Sequence, residues 1–454
     1  MIIAGKILIS LLVPLLVGMR CIKVFFAEDS FPKYAFIALS YGLGLGVVTH
    51  VLLLLAFLNI ELNWITALVS ILGLYIAVLV FAHIFIKPLR FELLRTKKDS
   101  VFKSNRPTIN VIILCVFLVA AYYVVYSFWT ALNVPVHEWD SLATSVYSAK
   151  VIYYEKSLAN LKYFPYPVYP LHMPLALVWN ALCFGFWDDQ LVKITFPFMF
   201  LSFLVVFYFI LTQLTSKKGA LLGLALLASS NLFMFHAAST YRDIFLIYYV
   251  YSALAFIVFW QKYRNKRLLM LAGLLAGLGA FTKLEGMAYL PVYFILIMFI
   301  LCKGEKVKLR VKAKEFLSFS VPCIFIVSIF HFVKVFKGIS TAKYVGFDLV
   351  NCIKNIPVAL EYFGHALFMT ASWNIVWVLL LFLIVWRWKV ILADREAQMW
   401  LLALVLFFAI HFLLSLSAGL SAHILSYNTI SRLLLHFFPV AVSLIVLLMR
   451  QEKF

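Results

Sequence analysis

The chain has 454 residues, of which 65% are hydrophobic and 13% are charged. A soluble domain carries about 25% charged residues, so the composition excludes an ordinary soluble enzyme, a disordered protein and a disulfide-rich scaffold. The net charge of +20 would suggest nucleic-acid binding in a soluble protein. In a membrane protein the same excess of Lys and Arg is explained by basic loops on the cytoplasmic side.

Apolar runs long enough to cross a membrane recur along the whole chain. A transmembrane helix needs about 20 mostly apolar residues, whereas a β-barrel strand alternates in polarity over about 10 residues. The runs here are continuous, so we predict an all-α polytopic membrane protein with about 13 transmembrane helices. The predicted spans are residues 3–19, 34–59, 64–86, 109–132, 191–213, 219–238, 243–261, 268–282, 286–302, 316–335, 373–388, 397–416 and 433–449.

The spans divide the chain into two predicted parts. Residues 1–108 hold three additional N-terminal helices and a cytoplasmic basic loop, and residues 109–454 hold the transmembrane core. The core begins with the longest stretch that cannot be a span, an outer loop at 133–190, and a smaller outer loop is expected at about 336–358. Within the first loop, residues 171–187 are apolar but short, which favours an interfacial or re-entrant helix.

The basic residues give the predicted orientation. If the loop after the third span is cytoplasmic and 171–187 does not cross, most of the 39 Lys and Arg residues fall on the cytoplasmic side, as the positive-inside rule requires. The N-terminus is then outside and the C-terminus is cytoplasmic. We expect the inner membrane of a bacterium, because no retention signal and no large lumenal domain is visible.

Asp140 lies directly after the fourth span, in the segment VHEWDSLATSVYSAK. If residues 139–154 form a helix, Asp140 and Lys150 share one face of it. A carboxylate held at a membrane face can act as general base toward an acceptor hydroxyl or amine. A helix cap or a solvated loop acid is the alternative interpretation.

Further charges gather at the predicted outer ends of later spans. Arg242 and Asp243 follow Tyr241 in YRDIF, Lys283 and Glu285 lie in TKLEG, and Arg432 precedes the last span. Ionisable groups at membrane depth are costly and often face a polar cavity, so these residues are candidates for a site on one membrane face. A helix-starting acid and an interfacial lysine are the structural alternatives.

Two other motifs have a structural interpretation. Gly273 and Gly277 are four residues apart in GLLAGLGAFTKLEG and predict close helix packing. His172 follows the proline-rich FPYPVYP segment, where a lone histidine is more often structural than a metal ligand. The sequence shows no HExxH, P-loop or GxSxG motif, and GLGLG at 42–46 lies inside an apolar span.

The order of these features resembles the GT-C superfamily of integral-membrane glycosyltransferases, in the branch of protein mannosyltransferases and the lipid A aminoarabinose transferase. The resemblance covers roughly residues 109 to 450. It rests on WDS after a span, a YP…PL stretch, a short apolar helix ending in GFWDDQLVK, YRD, AGLLAGLGAFTKLEG and SRLLLHFFPV.

The resemblance implies inverting transfer of a sugar from a polyprenyl-phosphate carrier on the outer face. We predict that the transfer needs no metal and no cofactor, because the sequence has no DxD motif apart from the neighbours Asp188 and Asp189. Asp140 would be the base or position the acceptor, Asp243 would be the second-loop acid, and Lys283 and Arg432 would stabilise the carrier phosphate. Glu138 is a second candidate for the base, because a tryptophan splits the acidic pair that the family often has. The other candidates for substrate or carrier-phosphate binding are Arg242, Lys193, Lys150, His172, Tyr241 and Glu285.

The expected partners are the lipid-linked sugar, membrane lipids and a lipid or glycan acceptor; a protein acceptor is less favoured and nucleic acid is not expected. A transporter or flippase of lipid-linked sugars would also carry charges inside a helix bundle. An O-antigen ligase or polymerase would use basic residues in an outer loop, and a structural membrane protein is a third alternative. The collection of the charges on one membrane face favours the transferase.

Overall fold

The computed structural model describes residues 2–27, 30–85, 107–303, 309–339, 349–416 and 426–450. All regular secondary structure in these ranges is helical, which confirms the predicted all-α fold. The predicted basic loop after the third span lies outside the described residues, as do residues 340–348 of the smaller predicted outer loop.

The helices of the described residues are numbered in chain order. The first four are α1 (Ile2–Phe25), α2 (Lys33–Phe57), α3 (Trp64–Phe85) and α4 (Pro107–Asn133). The first outer loop holds a π-helical turn (Ser141–Val146), α5 (Tyr147–Glu155), a 3-10 turn (Leu161–Tyr163), α6 (His172–Phe184) and a second 3-10 turn (Leu191–Ile194). The next are α7 (Thr195–Leu214), α8 (Lys217–Ala228), α9 (Asn231–Ala238), α10 (Asp243–Tyr263), α11 (Lys266–Thr282), α12 (Leu284–Ala288), α13 (Leu290–Lys303) and α14 (Leu309–Phe336). The last are α15 (Leu349–Phe368), α16 (Val376–Trp386), α17 (Trp388–Ala393), α18 (Arg395–Leu416), α19 (Tyr427–Leu435) and α20 (Phe438–Leu448).

Most of the predicted spans are helices of membrane-crossing length. Within the described residues, 9 helices are long and apolar enough to cross, and the number rises to 11 if each of two bent pairs is one span. The bent pairs are α8 with α9, at 78°, and α19 with α20, at 54°. The predicted number of about 13 is higher because it also counts α11 and α16 as spans. These helices have 17 and 11 residues, fewer than the roughly 20 that a crossing needs.

The N-terminal helices α1 and α2 are packed into the same core as the later helices. A Cβ on Gly44 of α2 would lie 1.7 Å from the carbonyl oxygen of Pro14 in α1, so the two backbones touch. Tyr249 of α10 donates to the carbonyl of Gly42 at 2.8 Å. Of the first three helices, α3 is the most exposed, with 11% of its apolar window buried. The predicted boundary at residue 108 therefore does not divide the hydrophobic core, and GLGLG serves helix packing.

The short apolar segment of the first outer loop is α6, and all of its 13 residues are buried. It packs against α1 and α2, and Trp179 Nε1 donates to the carbonyl of Ser10 in α1 at 2.8 Å. An interfacial helix would leave a polar face toward the headgroups. The α6 helix has no such face: it is too short to span a membrane and is enclosed by protein, and its depth relative to the membrane stays a prediction.

The helix predicted over 139–154 is present as the π-helical turn followed by α5. The smaller predicted outer loop differs from expectation, because residues from Leu349 onward form α15. Apolar run length does not predict this helix, because its polar and apolar residues alternate with helical periodicity and leave no continuous apolar run.

The glycine pair of α11 makes the predicted close helix contact. A Cβ on Gly273 would lie 2.2 Å from the carbonyl oxygen of Phe319 in α14, and a Cβ on Gly277 would lie 2.8 Å from Cβ of Ile326. Small residues let helix backbones approach in this way. The contact fixes α11, whose C-terminal end leads directly into the TKLEG segment.

Candidate active site

Asp243 is the first residue of α10 and is fully buried. Its Oδ1 accepts from Lys283 Nζ at 3.0 Å and is hydrogen-bonded to His436 Nε2 at 2.7 Å. Its Oδ2 accepts from Arg432 Nη2 at 3.2 Å, and His236 Nδ1 lies 3.3 Å from the same oxygen. A helix N-terminus also favours a carboxylate. Asp243 is therefore an anion whose oxygens are engaged, and it is poorly placed to take a proton from a substrate.

Arg432 joins the first outer loop to Asp243. Its Nη1 donates to Asp140 Oδ2 at 2.5 Å while its Nη2 donates to Asp243. The guanidinium carbon lies 4.3 Å from the centre of the Tyr241 ring, which is a cation–π contact. The side chain of Asp140 is 49% exposed, so this carboxylate, unlike Asp243, is open to a ligand.

The break between α11 and α12 places Lys283. Its backbone is extended, with φ −151° and ψ 153°, between two helical segments. Its Nζ lies 3.0 Å from Asp243 and 2.9 Å from Glu285 Oε1. The turn is tight because Gly286 packs on the carbonyl of Gly279, where a Cβ would approach within 2.1 Å. Lys283 is thus held between two carboxylates by the local fold of the TKLEG segment.

The bend between α19 and α20 places Arg432 and His436. The α19 helix is capped at its N-terminus by Ser426, whose hydroxyl accepts from the backbone N–H of Thr429 at 3.2 Å. Pro439 lies in the first turn of α20, and a proline there cannot continue a helix from the preceding turn. The bend leaves the last turn of α19 and the residues after it against the start of α10.

Arg242 binds the outer loop rather than the Asp243 carboxylate. It is buried, its Nε donates to Ser145 Oγ at 2.6 Å, and its Nη1 donates to the carbonyl of Pro170 at 3.0 Å. Its guanidinium carbon lies 5.0 Å from the Tyr169 ring centre. Burial lowers the pKa of Arg242 to about 10, which leaves it cationic at neutral pH, and burial raises the pKa of Tyr169. These contacts fix the proline-rich stretch and the π-helical turn beside the charged group.

Glu138 is buried against the segment that leads into α10. Its two carboxylate oxygens accept from the backbone N–H of Thr240 at 3.1 Å and from the Thr240 hydroxyl at 2.7 Å. Ser141 adds a hydrogen bond to the Thr240 carbonyl at 2.8 Å. Of the two candidate bases, Glu138 thus fastens the loop, and Asp140 faces the charged group.

Three of the sequence-predicted residues lie apart from the charged group and contact other parts of the protein. Lys193 is buried and donates to the carbonyl of Val134. Lys150 lies 3.3 Å from Asp189. The side chain of His172 is fully buried, with Nδ1 2.7 Å from the Thr49 hydroxyl and Nε2 2.9 Å from the Tyr249 hydroxyl. Both ring nitrogens of His172 are therefore occupied within the protein, away from any ligand.

Four buried residues of the site had not been predicted from the sequence. His436 bonds to Asp243 through Nε2 and to the Tyr289 hydroxyl through Nδ1 at 2.8 Å. The Tyr289 hydroxyl also contacts His411 Nε2, and His236 lies beside Asp243. His436 follows Arg432 by four residues, so the helical spacing placed both on one face; nothing in the sequence marks the other three.

The charged group is closed on one side and open on the other. Asp243, His236 and His436 are fully buried, whereas Asp140 is half-exposed and Arg432 is 23% exposed at the side chain. Arg432 and Lys283 have more N–H groups than their carboxylate contacts use. The arrangement offers donors for an anion next to an accessible carboxylate. In the described ranges, no group of three or more His, Cys, Asp or Glu side chains is placed to hold a metal ion.

The central part of the chain is similar to a known family. Residues 171–331 match the family described as dolichyl-phosphate-mannose-protein mannosyltransferase, and that family belongs to the GT-C superfamily. The matched residues include Asp243, Lys283 and Glu285 but neither Asp140 nor Arg432. No curated protein and no solved structure matches the chain. The match confirms the GT-C resemblance and supports a membrane glycosyltransferase that uses a lipid-linked sugar.

Proposed function

We propose that the protein transfers a sugar from a polyprenyl-phosphate carrier to an acceptor, with inversion at the anomeric carbon and without a metal. The observation that carries the proposal is the bridge that Arg432 makes between Asp140 and Asp243, with Lys283 beside it. It joins an accessible carboxylate and two cations from distant parts of the chain at one end of the helix bundle.

In the proposed reaction, Asp140 takes the proton of the acceptor hydroxyl or amine. The acceptor atom bonds to the anomeric carbon from the face opposite the carrier, as the bond between that carbon and the phosphate oxygen breaks. The phosphate leaves with the electron pair, and the proton stays on the Asp140 carboxyl. A half-exposed carboxylate suits this role, since a general base must come within hydrogen-bond reach of the proton that it takes.

In the same scheme, Arg432 and Lys283 stabilise the negative charge that develops on the carrier phosphate. Fixed donors aimed at developing charge are among the largest contributions to catalysis, and arginine can bind a phosphate through two parallel hydrogen bonds. Asp243 holds both cations in place. Glu285 pairs with Lys283 from the other side and so restricts where its ammonium group can point.

We further propose that the site faces the periplasm from a bacterial inner membrane, with a lipid or glycan as acceptor. The distribution of Lys and Arg along the chain supports this orientation. The N-terminus is then outside and the C-terminus cytoplasmic.

The test is a transfer assay with purified protein in detergent. Radiolabelled polyprenyl-phosphate sugars are offered with membrane lipids and cell-envelope glycans as acceptors, and wild type is compared with Asp140→Asn. Label should leave the carrier with wild type, and Asp140→Asn should lower the rate by about 100-fold or more, the usual contribution of a general base.

Asp189→Asn is the matched control, because Asp189 is a loop carboxylate of similar exposure, 45% at the side chain, that pairs with Lys150. Its transfer rate should equal that of wild type. Full activity of Asp140→Asn would move the base elsewhere. Saturable carrier binding without transfer to any acceptor would favour a transporter over the transferase.

A further inference from the structure

We infer that a chain of buried hydrogen bonds, running from His411 through Tyr289 and His436 to Asp243, positions the Asp243 carboxylate between the two cations of the site. The inference rests on the proposed function and adds to it the positioning residues Tyr289, His436 and His411. None of the three touches the open side of the charged group.

The four residues come from different parts of the bundle. Asp243 begins α10, Tyr289 links α12 to α13, His411 lies in α18 and His436 lies between α19 and α20. All four side chains are fully buried. Buried polar groups are costly to leave unpaired, so these hydrogen bonds hold the four elements in one arrangement around Asp243.

The hydrogen bonds have one direction in which each of the three contacts joins a donor to an acceptor. Asp243 is an acceptor, so His436 Nε2 carries the proton that is donated to it. His436 Nδ1 is then an acceptor and takes its hydrogen bond from the Tyr289 hydroxyl. The tyrosine oxygen in turn accepts from His411 Nε2, which must therefore be the protonated nitrogen of that ring.

The environment of His411 supports the same direction. Its Nδ1 is buried and has no hydrogen-bond partner among the residues that the structure describes. A proton on that nitrogen would be a buried donor without an acceptor, which is unfavourable. A proton on Nε2 instead is donated to Tyr289.

The opposite direction is disfavoured by the cations of the site. If His436 carried its proton only on Nδ1, a lone pair on Nε2 would face Asp243 Oδ1 at 2.7 Å, and the carboxyl would have to be protonated. Lys283 and Arg432, which both form ion pairs with Asp243, stabilise the charged carboxylate and so oppose that protonation. Their positive charges also oppose a second proton on His436. The Tyr289 hydroxyl thus selects the tautomer of His436 that donates to Asp243.

The variant that tests the chain is Tyr289→Phe. It keeps the ring, which packs 4.9 Å from Phe407, and removes only the hydroxyl. Tyr293→Phe is the matched control, because Tyr293 is equally buried one helical turn away and donates to the carbonyl of Val250, outside the chain. Thermal unfolding in detergent identifies any variant that fails to fold.

The first readout is independent of transfer. In protein labelled with 15N-histidine, the His436 resonance, assigned by its loss in His436→Gln, should show protonated Nε2 and unprotonated Nδ1. Tyr289→Phe should shift the Nδ1 resonance, and Tyr293→Phe should not. An unchanged His436 spectrum in Tyr289→Phe would overturn the hydrogen-bond chain whether or not the protein transfers sugar.

The second readout is a double-mutant cycle on transfer. Tyr289→Phe should lower kcat by about tenfold or more, because a displacement near 1 Å at a catalytic site can cost about 100-fold. His436→Gln keeps an N–H for Asp243 but has no tautomer to select, so it should retain more activity than His436→Leu. In the His436→Gln background, the further change Tyr289→Phe should lower kcat only slightly. Additive losses would indicate a purely structural contribution and overturn the positioning role. Absence of transfer by wild type would instead count against the proposed function. The His436 resonance would still show whether the chain of hydrogen bonds exists.

Discussion

At the scale of single residues, the two acids of the site differ in what surrounds them. Asp243 is buried among donors, whereas Asp140 is half-exposed and has Arg432 as its partner. The same residue type therefore has two environments: Asp243 is held among cations, and Asp140 is accessible from outside the charged group. Exposure and partners make this division, since both residues are aspartates near the start of a helical segment.

Replacement of the two cations should weaken carrier binding. Lys283→Ala or Arg432→Ala should raise the dissociation constant for the polyprenyl-phosphate carrier by about 10- to 100-fold, because hydrogen bonds to charged groups contribute about 1.5–3 kcal/mol. Acceptor binding should change less. Arg432→Lys should lie between wild type and Arg432→Ala, since it keeps the charge but loses the planar fork.

Carrier binding to detergent-solubilised protein is the measurement. Lys162→Ala, at an exposed lysine of the first loop, is the control and should bind the carrier like wild type. If both site variants bind the carrier as tightly as wild type, the phosphate role is wrong.

At the scale of helices, breaks and bends place the functional groups. Lys283 sits where α11 gives way to α12, and Arg432 and His436 sit where α19 bends into α20. A continuous helix satisfies its own backbone, so side chains converge on a site more readily from its ends and interruptions. The α8–α9 bend lies close by and brings His236 to Asp243.

The break at TKLEG can be disturbed without touching a charged residue. Gly286→Ala should lower transfer, because its Cβ would meet the Gly279 carbonyl at 2.1 Å and the backbone that carries Lys283 must shift. A loss of about 100-fold is expected for a displacement near 1 Å at a catalytic group. The transfer rate is measured beside Gly73→Ala in α3, where nothing lies within 4 Å of the new Cβ. Equal rates for the two variants would show that the turn does not position Lys283.

At the scale of the whole molecule, two groups of paired charges lie at opposite ends of α10. The site surrounds the start of α10, and the far end of the same helix carries Lys262, which pairs with Glu396 at 2.7 Å. Arg450, after α20, joins this second group through Asp394. The 21 residues of α10, at about 1.5 Å each, match the roughly 30 Å apolar thickness of a bilayer.

The two ends should be accessible from opposite sides of the membrane. Asn160→Cys lies on the first outer loop and Lys218→Cys lies at the start of α8, and both positions are exposed. In a background without the exposed Cys115 and Cys302, a membrane-impermeant thiol reagent should label Asn160→Cys in intact cells and Lys218→Cys only after the membrane is opened. The reverse pattern would invert the proposed orientation and move the site to the cytoplasmic face.

The local sequence was enough to predict the all-α membrane fold and the position of most spans, because membrane insertion depends on the length of an apolar run. It also identified Asp140, Asp243, Lys283 and Arg432 as candidates, because ionisable groups at membrane depth are costly and often face a polar cavity; their catalytic and binding roles stay predictions. Close helix packing at Gly273 was predicted for a similar local reason, whereas its partner α14 is known only from the structure.

Tertiary packing alone decided which of these residues meet. Asp140 and Arg432 are 292 positions apart in the chain, and no periodicity relates such distant helices. The enclosure of α6, the fastening role of Glu138 and the buried chain from His411 to Asp243 depend in the same way on partners from other helices. Apolar run length is a property of each segment by itself, whereas a hydrogen-bond partner is a property of the packed bundle.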